Sequence, residues 1–268
     1  MTGDDVELGY DMYALAIGAG FLAGLINTLA GSGSLVALSA LVAMGLPADV
    51  ANGTNRIGVL IQSVVAVVTM RAHTDDEERP EGNGWIVATA LMGAMVGAVL
   101  AAMTDPEALE WIIIAVLWAT LLVVLFKPGE WLRDESAEGR AEPTPGKYVI
   151  FFLVGAWGGF LQAGVGILLL AALVLAAGKD VIEATAIKLF IVLVYTVGVL
   201  FVFVAYGQVH WGLGLLMGIG QAGGAWGGAR FAATSPNAPI WIRRLLVVVI
   251  ATAALELMGV FSRVAALL

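Results

Sequence analysis

The chain contains 268 residues, of which 60% are hydrophobic and only 13% are charged, and its apolar residues form long unbroken runs. This composition is typical of an integral membrane protein and leaves no segment polar enough for a separate soluble domain, so we expect one transmembrane domain over residues 1–268. The net charge of -8 comes mostly from loops and tails, which we interpret as solvated acidic surface. The absence of cysteine and the presence of only two histidines exclude thiol-ligated metals and a clustered histidine site, so we expect no metal and no cofactor.

The predicted fold class is all-α. Runs such as WIIIAVLWATLLVVLF are apolar on every face, whereas the strands of a membrane barrel alternate apolar and polar residues. The acidic N-terminus lacks the basic segment of a secretory signal, so we expect the first helix to stay in the membrane. Apolar runs and Gly or Pro breakers together predict ten elements, at residues 11–30, 33–45, 50–70, 84–103, 108–126, 147–163, 165–178, 183–206, 209–232 and 240–264.

A polar stretch divides these elements into two sets of five that resemble each other at a constant offset of 133 residues. AGSGSL from Ala30 matches AGVGIL from Ala163, and Gly45 matches Gly178. Each half has a long element, a Gly-x-Gly break, a short element and a long element with a cation, a succession typical of transporters with internal repeats. An odd number of elements per half turns the second half over. We therefore predict a first inverted repeat, a linker and a second inverted repeat, at residues 11–126, 127–146 and 147–268.

Basic residues in the short loops predict the orientation of the chain in the membrane. The linker contains Arg133 and Arg140, and the loop near residue 75 contains Arg79, so we expect both on the cytoplasmic side. The turns near Asp105 and Gly207 carry no lysine or arginine and are expected outside. The prediction is a multi-pass protein of the cytoplasmic (inner) membrane with both termini outside.

The elements 33–45 and 165–178 are short, because a helix of 13 residues rises only about 20 Å against a hydrocarbon core of roughly 30 Å. We expect them to re-enter, or to span only together with the broken segment before them. Irregular backbone at that depth must be buried in protein or line a wet cavity. The breaks would aim helix N-termini and free amides at an anion, and the alternative is close helix packing through small residues. The residues at the breaks are Gly31, Ser32, Gly33, Gly164 and Gly166.

Arg56 and Lys188 place one cation inside the third element of each half, and the offset aligns Lys188 with Asn55. A charge at the bilayer centre costs about 2.5–3.5 kcal/mol on insertion scales, so it persists where it has a partner or a function, unless it snorkels to the interface. Two cations and two helix N-termini that converge near a pseudo-twofold axis would bind a small anion, and an arginine fork suits oxyanions. Further candidate ligands near the breaks are Asn27, Gln162, Thr54 and Asn55.

The leading functional hypothesis is a secondary transporter that works by alternating access and is coupled to protons. Glu256, a carboxylate deep in a late helix, is the candidate for proton coupling, with structural pairing to a cation as the alternative. A passive anion channel is the first competing hypothesis. An intramembrane enzyme is the second, and it is disfavoured because His73 and His210 lie in predicted loops, too exposed and isolated for catalysis. The expected partners are a small anion and the lipid bilayer, without nucleic acid, and the sequence leaves a homo-oligomer open.

Three segments of the chain resemble the sulfite exporter TauE/SafE family of membrane anion transporters. They are GFLAGLINTLAGSGSLVALSALVAMGLPADVANGTNR, GAWGGFLQAGVGILLLAALVLAAGKDVIEATAIKLFIVLVYTVGVLFVF and GQVHWGLGLLMGIGQAGGAWGGARFA. The resemblance extends from about residue 12 onward, and the usual run of three glycines is reduced here to Gly31-Ser32-Gly33 and Gly164-Val165-Gly166. It implies movement of sulfite, sulfonates or related organic anions across the cytoplasmic membrane, whereas the residues alone indicate only a small anion.

Overall fold

The computed structural model describes residues 10–29, 31–72, 84–109, 111–112, 144–179, 181–235 and 241. Across these residues the chain is helical almost throughout and contains no β-strand. The predicted all-α fold class is therefore confirmed.

The helix boundaries follow the apolar runs and their breakers. Proline marks two of the starts, because Pro47 immediately precedes the helix Ala48–Arg71 and Pro145 is the first residue of the helix Pro145–Phe160, where its missing N–H costs nothing. Of the ten predicted elements, those at 108–126 and 240–264 lie largely outside the described residues, and the others agree with observed helices to within a few residues. These helices are α1 (Tyr10–Leu29), α2 (Ser34–Ala43), α3 (Ala48–Arg71), α4 (Gly84–Ala102), α5 (Pro145–Phe160), α6 (Val165–Ala171, continued by a π-helical turn over Ala172–Ala176), α7 (Val181–Ala205) and α8 (Trp211–Thr234).

Within the described residues, four helices are long and apolar enough to cross a membrane: α1, α3, α4 and α7. Large apolar side chains on the outer faces are strongly exposed, including Phe201 at 73% and Met92 at 65%, as expected for surfaces in contact with lipid. By contrast, α2 has only 10 residues, and α6 with its π-helical turn covers only Val165–Ala176. The protein is therefore a multi-pass membrane protein in which short helices accompany long ones.

Two pairs of helices pack in parallel through glycines. Along α1 and α8, Gly24 lies against the backbone of Gln221, and Gly224 lies against the backbone of Phe21. The pair α4 and α5 uses the same device, for example where Gly159 lies against the backbone of Ala94. A side chain at any of these glycines would overlap the facing backbone. Small residues allow the close approach on which helix association in lipid depends, and each pair joins the first half of the chain to the second.

The helices α3 and α7 run antiparallel through the middle of the fold. The Arg56 guanidinium, near the start of α3, lies 5.4 Å from the centre of the Phe203 ring, near the end of α7. At the other end of the contact, the Arg71 guanidinium lies 5.5 Å from the centre of the Phe190 ring. Most of α3 is buried, so its polar side chains face protein and not lipid.

The close packing of α1 on α8 predicts different effects for two glycines of the same helix. Gly24→Ala should lower the free energy of unfolding by about 1–3 kcal/mol, because the added methyl group overlaps the backbone of Gln221. Gly18→Ala is the matched control, since nothing lies within 4 Å of the position its methyl group would take. Thermal unfolding in detergent measures both effects. Equal stability of the two variants would contradict the packing role of Gly24.

Candidate functional site

The two helix breaks touch each other. Gly31 and Gly164 adopt positive φ angles of 82° and 69°, which glycine reaches without strain. The N–H of Gly166 donates a hydrogen bond to the carbonyl of Gly31 at 3.1 Å. A side chain on Gly31 would overlap the backbone of Gly166, and a side chain on Gly166 would overlap the backbone of Gly31. The structure therefore brings together predicted site residues that are more than 130 positions apart in the sequence.

Arg56 caps the C-terminal end of α5 with hydrogen bonds. Its Nη1 donates to the carbonyl of Gly158 at 2.7 Å and to Oε1 of Gln162, and its Nη2 donates to the carbonyl of Gly159 at 2.9 Å and to Oδ1 of Asn52 at 3.0 Å. The last carbonyls of a helix have no partner within the helix, and in an apolar bundle no bulk water satisfies them. Arg56 is fully buried and supplies these bonds through its planar fork.

Gln162 is held in an unusual conformation at this break. Its φ angle is 64°, and among the non-glycine residues that the structure describes it is the only one with a positive φ angle. Such a backbone is uncommon for a residue with a side chain and persists only where the surroundings hold it. The hydrogen bond from Arg56 to Oε1 of Gln162 provides that hold, while Nε2 of Gln162 is buried without a partner among the described residues.

Lys188 makes the corresponding contact at the end of α1. Its Nζ donates to the carbonyl of Thr28 at 3.0 Å, and its side chain is fully buried. Each cation therefore lies at the C-terminal end of a broken helix from the other half of the chain, where the helix dipole favours positive charge. Among the described residues, neither Arg56 nor Lys188 has a carboxylate partner. Within the described residues, the region thus contains two buried cations whose hydrogen-bond partners are all neutral.

The backbones of Arg56 and Lys188 are well separated, so the expected convergence of the two cations depends on their long side chains. Gly53, one turn before Arg56, packs directly on Phe203, whereas Lys188 lies fifteen residues before Phe203 on α7. Fifteen residues of helix rise about 22 Å. The cations therefore enter the centre of the bundle from opposite ends of the contact between α3 and α7.

The free amides that we expected at the start of α6 are paired within the protein. The N–H groups of Val165, Gly166 and Ile167 donate to the carbonyls of Gln162, Gly31 and Gly164 at 3.1–3.3 Å. At the other break, Gly33 is packed against the backbone of α1. The turn before α6 therefore satisfies its own amides, so on that side of the site the donors left for an anion belong to side chains.

The remaining predicted residues have diverse surroundings. Oγ1 of Thr54 accepts the N–H of His210 at 2.8 Å, and Oδ1 of Asn55 lies 3.5 Å from Nε2 of Gln221, so both join α3 to the start or middle of α8. Asn27 is half-buried near the end of α1. Ser32 is fully buried, and its Oγ has no partner in the described part of the chain.

His210 was expected to be exposed, and this was wrong: only 8% of its surface is accessible, because it caps α8 by accepting the N–H of Leu213 on Nδ1 at 3.2 Å. Glu256 and His73 lie outside the described residues.

Sequence reasoning missed a set of buried polar side chains in the middle of α3 and α7. The residues are Gln62, Ser63, Tyr195 and Thr196, and each has a buried polar atom without a partner among the described residues. The available signal was the offset of 133 residues, which aligns Gln62 with Tyr195 and Ser63 with Thr196.

Long apolar helices, two glycine breaks in contact and a buried cation at each break define a polytopic membrane protein with a polar centre, as in membrane transporters. The chain belongs to the sulfite exporter TauE/SafE family, whose family model matches residues 16–257. It is therefore a membrane transporter of this family.

The similarity extends to curated relatives over nearly their full length. The chain is 32% identical over 258 residues to the "Probable membrane transporter protein ORF9" of Sinorhizobium sp, covering 94% of this chain and 95% of the relative. It is 26% identical over 240 residues to the "Probable membrane transporter protein YfcA" of Escherichia coli strain K12, which covers 88% of this chain and 86% of the relative. A "Probable membrane transporter protein" of Haemophilus influenzae is also 26% identical, over 238 residues, covering 85% and 88%. No solved structure matches the chain with significant similarity.

The hydrogen bonds of the Arg56 guanidinium predict that another positively charged residue cannot replace it. Arg56→Lys keeps the positive charge but cannot reach Gly158, Gly159 and Gln162 together, so thermal stability in detergent should fall by about 1.5–3 kcal/mol for each hydrogen bond lost. Arg71→Lys, on the same helix but exposed, is the control and should change stability little. If both lysine variants unfold at the wild-type temperature, Arg56 does not hold the end of α5.

Proposed function

We propose that the protein is a secondary transporter that moves a small sulfur-containing anion across the cytoplasmic membrane by alternating access. The observation that carries this proposal is the pair of fully buried cations, Arg56 and Lys188, which have no carboxylate partner among the described residues. The name of the family supports sulfite or a related sulfur anion as the cargo.

The electrostatics of the two cations favour an anion as the substrate. An isolated charge in a low-dielectric interior is costly, and neutral carbonyl and amide oxygens compensate it only in part. A transported anion would supply the missing negative charge. Donors remain available for it, because Nε of Arg56 and Nε2 of Gln162 are buried without partners among the described residues.

Alternating access requires two halves that can rearrange, and several features support inverted repeats over residues 11–126 and 147–268. The offset of 133 residues relates Gly31 to Gly164 and Gly45 to Gly178, and all four have positive φ angles. The corresponding helices α3 and α7 run antiparallel, as a twofold axis in the membrane plane would require. We infer that the linker at 127–146 joins the two repeats on the cytoplasmic side and leaves both termini outside.

Uptake into proteoliposomes tests the proposed function. Purified protein should take up at least one of sulfite, sulfate, thiosulfate, taurine and sulfoacetate with saturable kinetics and should show counterflow. Lys188→Gln removes the buried charge and keeps a polar side chain at this position, and it should lower uptake at least about tenfold. Lys179→Gln is the control, because Lys179 is a partly exposed lysine paired with Glu183.

Three results would contradict parts of this proposal. Wild-type rates in Lys188→Gln would remove the buried cation from the mechanism. Uptake that does not saturate and shows no counterflow would favour a channel. No response to any of the five anions would exclude this class of substrate.

Proton coupling is tested separately at Glu256. A pH gradient should accelerate uptake by the wild-type protein, and Glu256→Gln should abolish the acceleration because an amide cannot carry the proton. Glu183→Gln, at the partly exposed ion pair with Lys179, serves as the matched carboxylate control. A pH dependence that persists in Glu256→Gln would assign coupling to another group.

A further inference from the structure

Three buried hydroxyl groups in the centre of the bundle have no hydrogen-bond partner among the described residues. They belong to Ser63 of α3 and to Tyr195 and Thr196 of α7, and at most 1% of each residue's surface is accessible. We call these residues the hydroxyl layer. Their neighbour Gln62 also has a buried amide oxygen without a partner.

Such hydroxyls usually bond to the backbone of their own helix. In the same protein, Oγ1 of Thr89, of Thr185 and of Thr234 donates to the carbonyl four residues earlier at 2.7–2.8 Å. Ser63 and Thr196 make neither this bond nor a bond to each other. Since an unpaired polar group in an apolar interior lowers stability, we expect these hydroxyls to form hydrogen bonds with a partner that is not among the described residues.

The helical register places the hydroxyl layer where α3 and α7 cross. Ser63 lies seven residues after Arg56, and Thr196 lies seven residues before Phe203. Seven residues are nearly two helical turns, so Ser63 lies on the same face of α3 as Arg56, and Thr196 lies on the same face of α7 as Phe203. The Arg56 guanidinium and the Phe203 ring are in contact between these two helices. The register therefore places Ser63 and Thr196 on the faces of α3 and α7 that face each other.

The hydroxyl layer lies between the two cations. Along α3, Ser63 is about 10 Å beyond Arg56, and along α7, Thr196 is about 12 Å beyond Lys188. Tyr195 lies toward the Arg56 end of the layer. Its Oη is close to Gly158, since it would lie 3.0 Å from a Cβ atom added there, and Arg56 donates a hydrogen bond to the carbonyl of Gly158. Polar side chains are therefore spaced along α3 and α7 from the Arg56 end toward Lys188.

We propose that Ser63 and Thr196 bind the oxyanion group of the transported anion between Arg56 and Lys188, with Tyr195 donating to it from the Arg56 side. This inference depends on the proposed function. Hydroxyl groups donate hydrogen bonds to sulfonate or sulfite oxygens without adding a charge, so they orient the anion but still allow it to leave. The cations attract the anion from either end, and the hydroxyl layer holds it where the two helices cross.

Substitutions that remove one hydroxyl each test the proposal. Ser63→Ala, Tyr195→Phe and Thr196→Val should each raise the KM for sulfite, thiosulfate or sulfoacetate uptake about tenfold, because a hydrogen bond to a charged group is lost. Thr196→Ser keeps the hydroxyl and should keep the wild-type KM. Thr89→Val removes a hydroxyl that is already bonded within its helix and is the matched control.

Thermal unfolding provides a second readout that does not require transport. Without anion, Ser63→Ala and Thr196→Val should unfold at or above the wild-type temperature, because each removes an unpaired buried group. With sulfite, thiosulfate or sulfoacetate added, the wild-type Tm should rise and the increase should shrink in these variants. A lower Tm without anion would show that the hydroxyls bond within the protein and would overturn the proposal.

The outcomes distinguish this inference from the proposed function. If the wild-type protein takes up one of the anions and the three variants keep its KM and its anion-dependent increase in Tm, the hydroxyl layer does not bind the anion and transport still stands. If the wild-type protein neither binds nor takes up any of the anions, both proposals fail. Loss of affinity in the three variants with retention in Thr196→Ser and Thr89→Val is the expected result.

Discussion

The structure depends on satisfying the carbonyl ends of two helices that stop inside an apolar bundle. Neither lipid nor bulk water can bond these oxygens, so the protein must supply donors at that depth. It does so with cations from the other half of the chain: Arg56 bonds the carbonyls of Gly158 and Gly159, and Lys188 bonds the carbonyl of Thr28. Each broken helix is therefore completed only when both halves are in place.

The same interactions explain how a membrane protein can retain two buried positive charges. Helix C-termini carry a partial negative charge of roughly half an electron, which stabilises a cation without neutralising it. The partly compensated charge that remains is what an anion would bind. A carboxylate in the same position would neutralise the cation fully and compete with the substrate, so the use of neutral acceptors by Arg56 and Lys188 favours anion binding.

Much of the fold could be predicted from the sequence, because apolar runs and glycine breaks are local signals. The third element was predicted at residues 50–70 and is observed as Ala48–Arg71. The contacts of Arg56 with Gly158 and Gly159 could not be predicted, since they join residues more than 100 positions apart. The pairing of the Gly166 amide with the carbonyl of Gly31 was missed for the same reason, whereas the cap that His210 forms on α8 is a local contact. Ser63 and Thr196 resemble ordinary helical residues until the structure reveals their unpaired hydroxyls.

The arrangement of charges and neutral donors has a consequence for release of the substrate. If both cations contacted a small anion at once, their attraction would add and dissociation would be slow. The antiparallel packing of α3 and α7 instead separates the two cations and places the hydroxyl layer between them. Because each cation also bonds the break of the opposite half, an anion that draws Arg56 toward the centre competes with the carbonyls of α5. In the proposed mechanism, binding of the anion is thereby coupled to the packing of the two halves against each other, which alternating access requires.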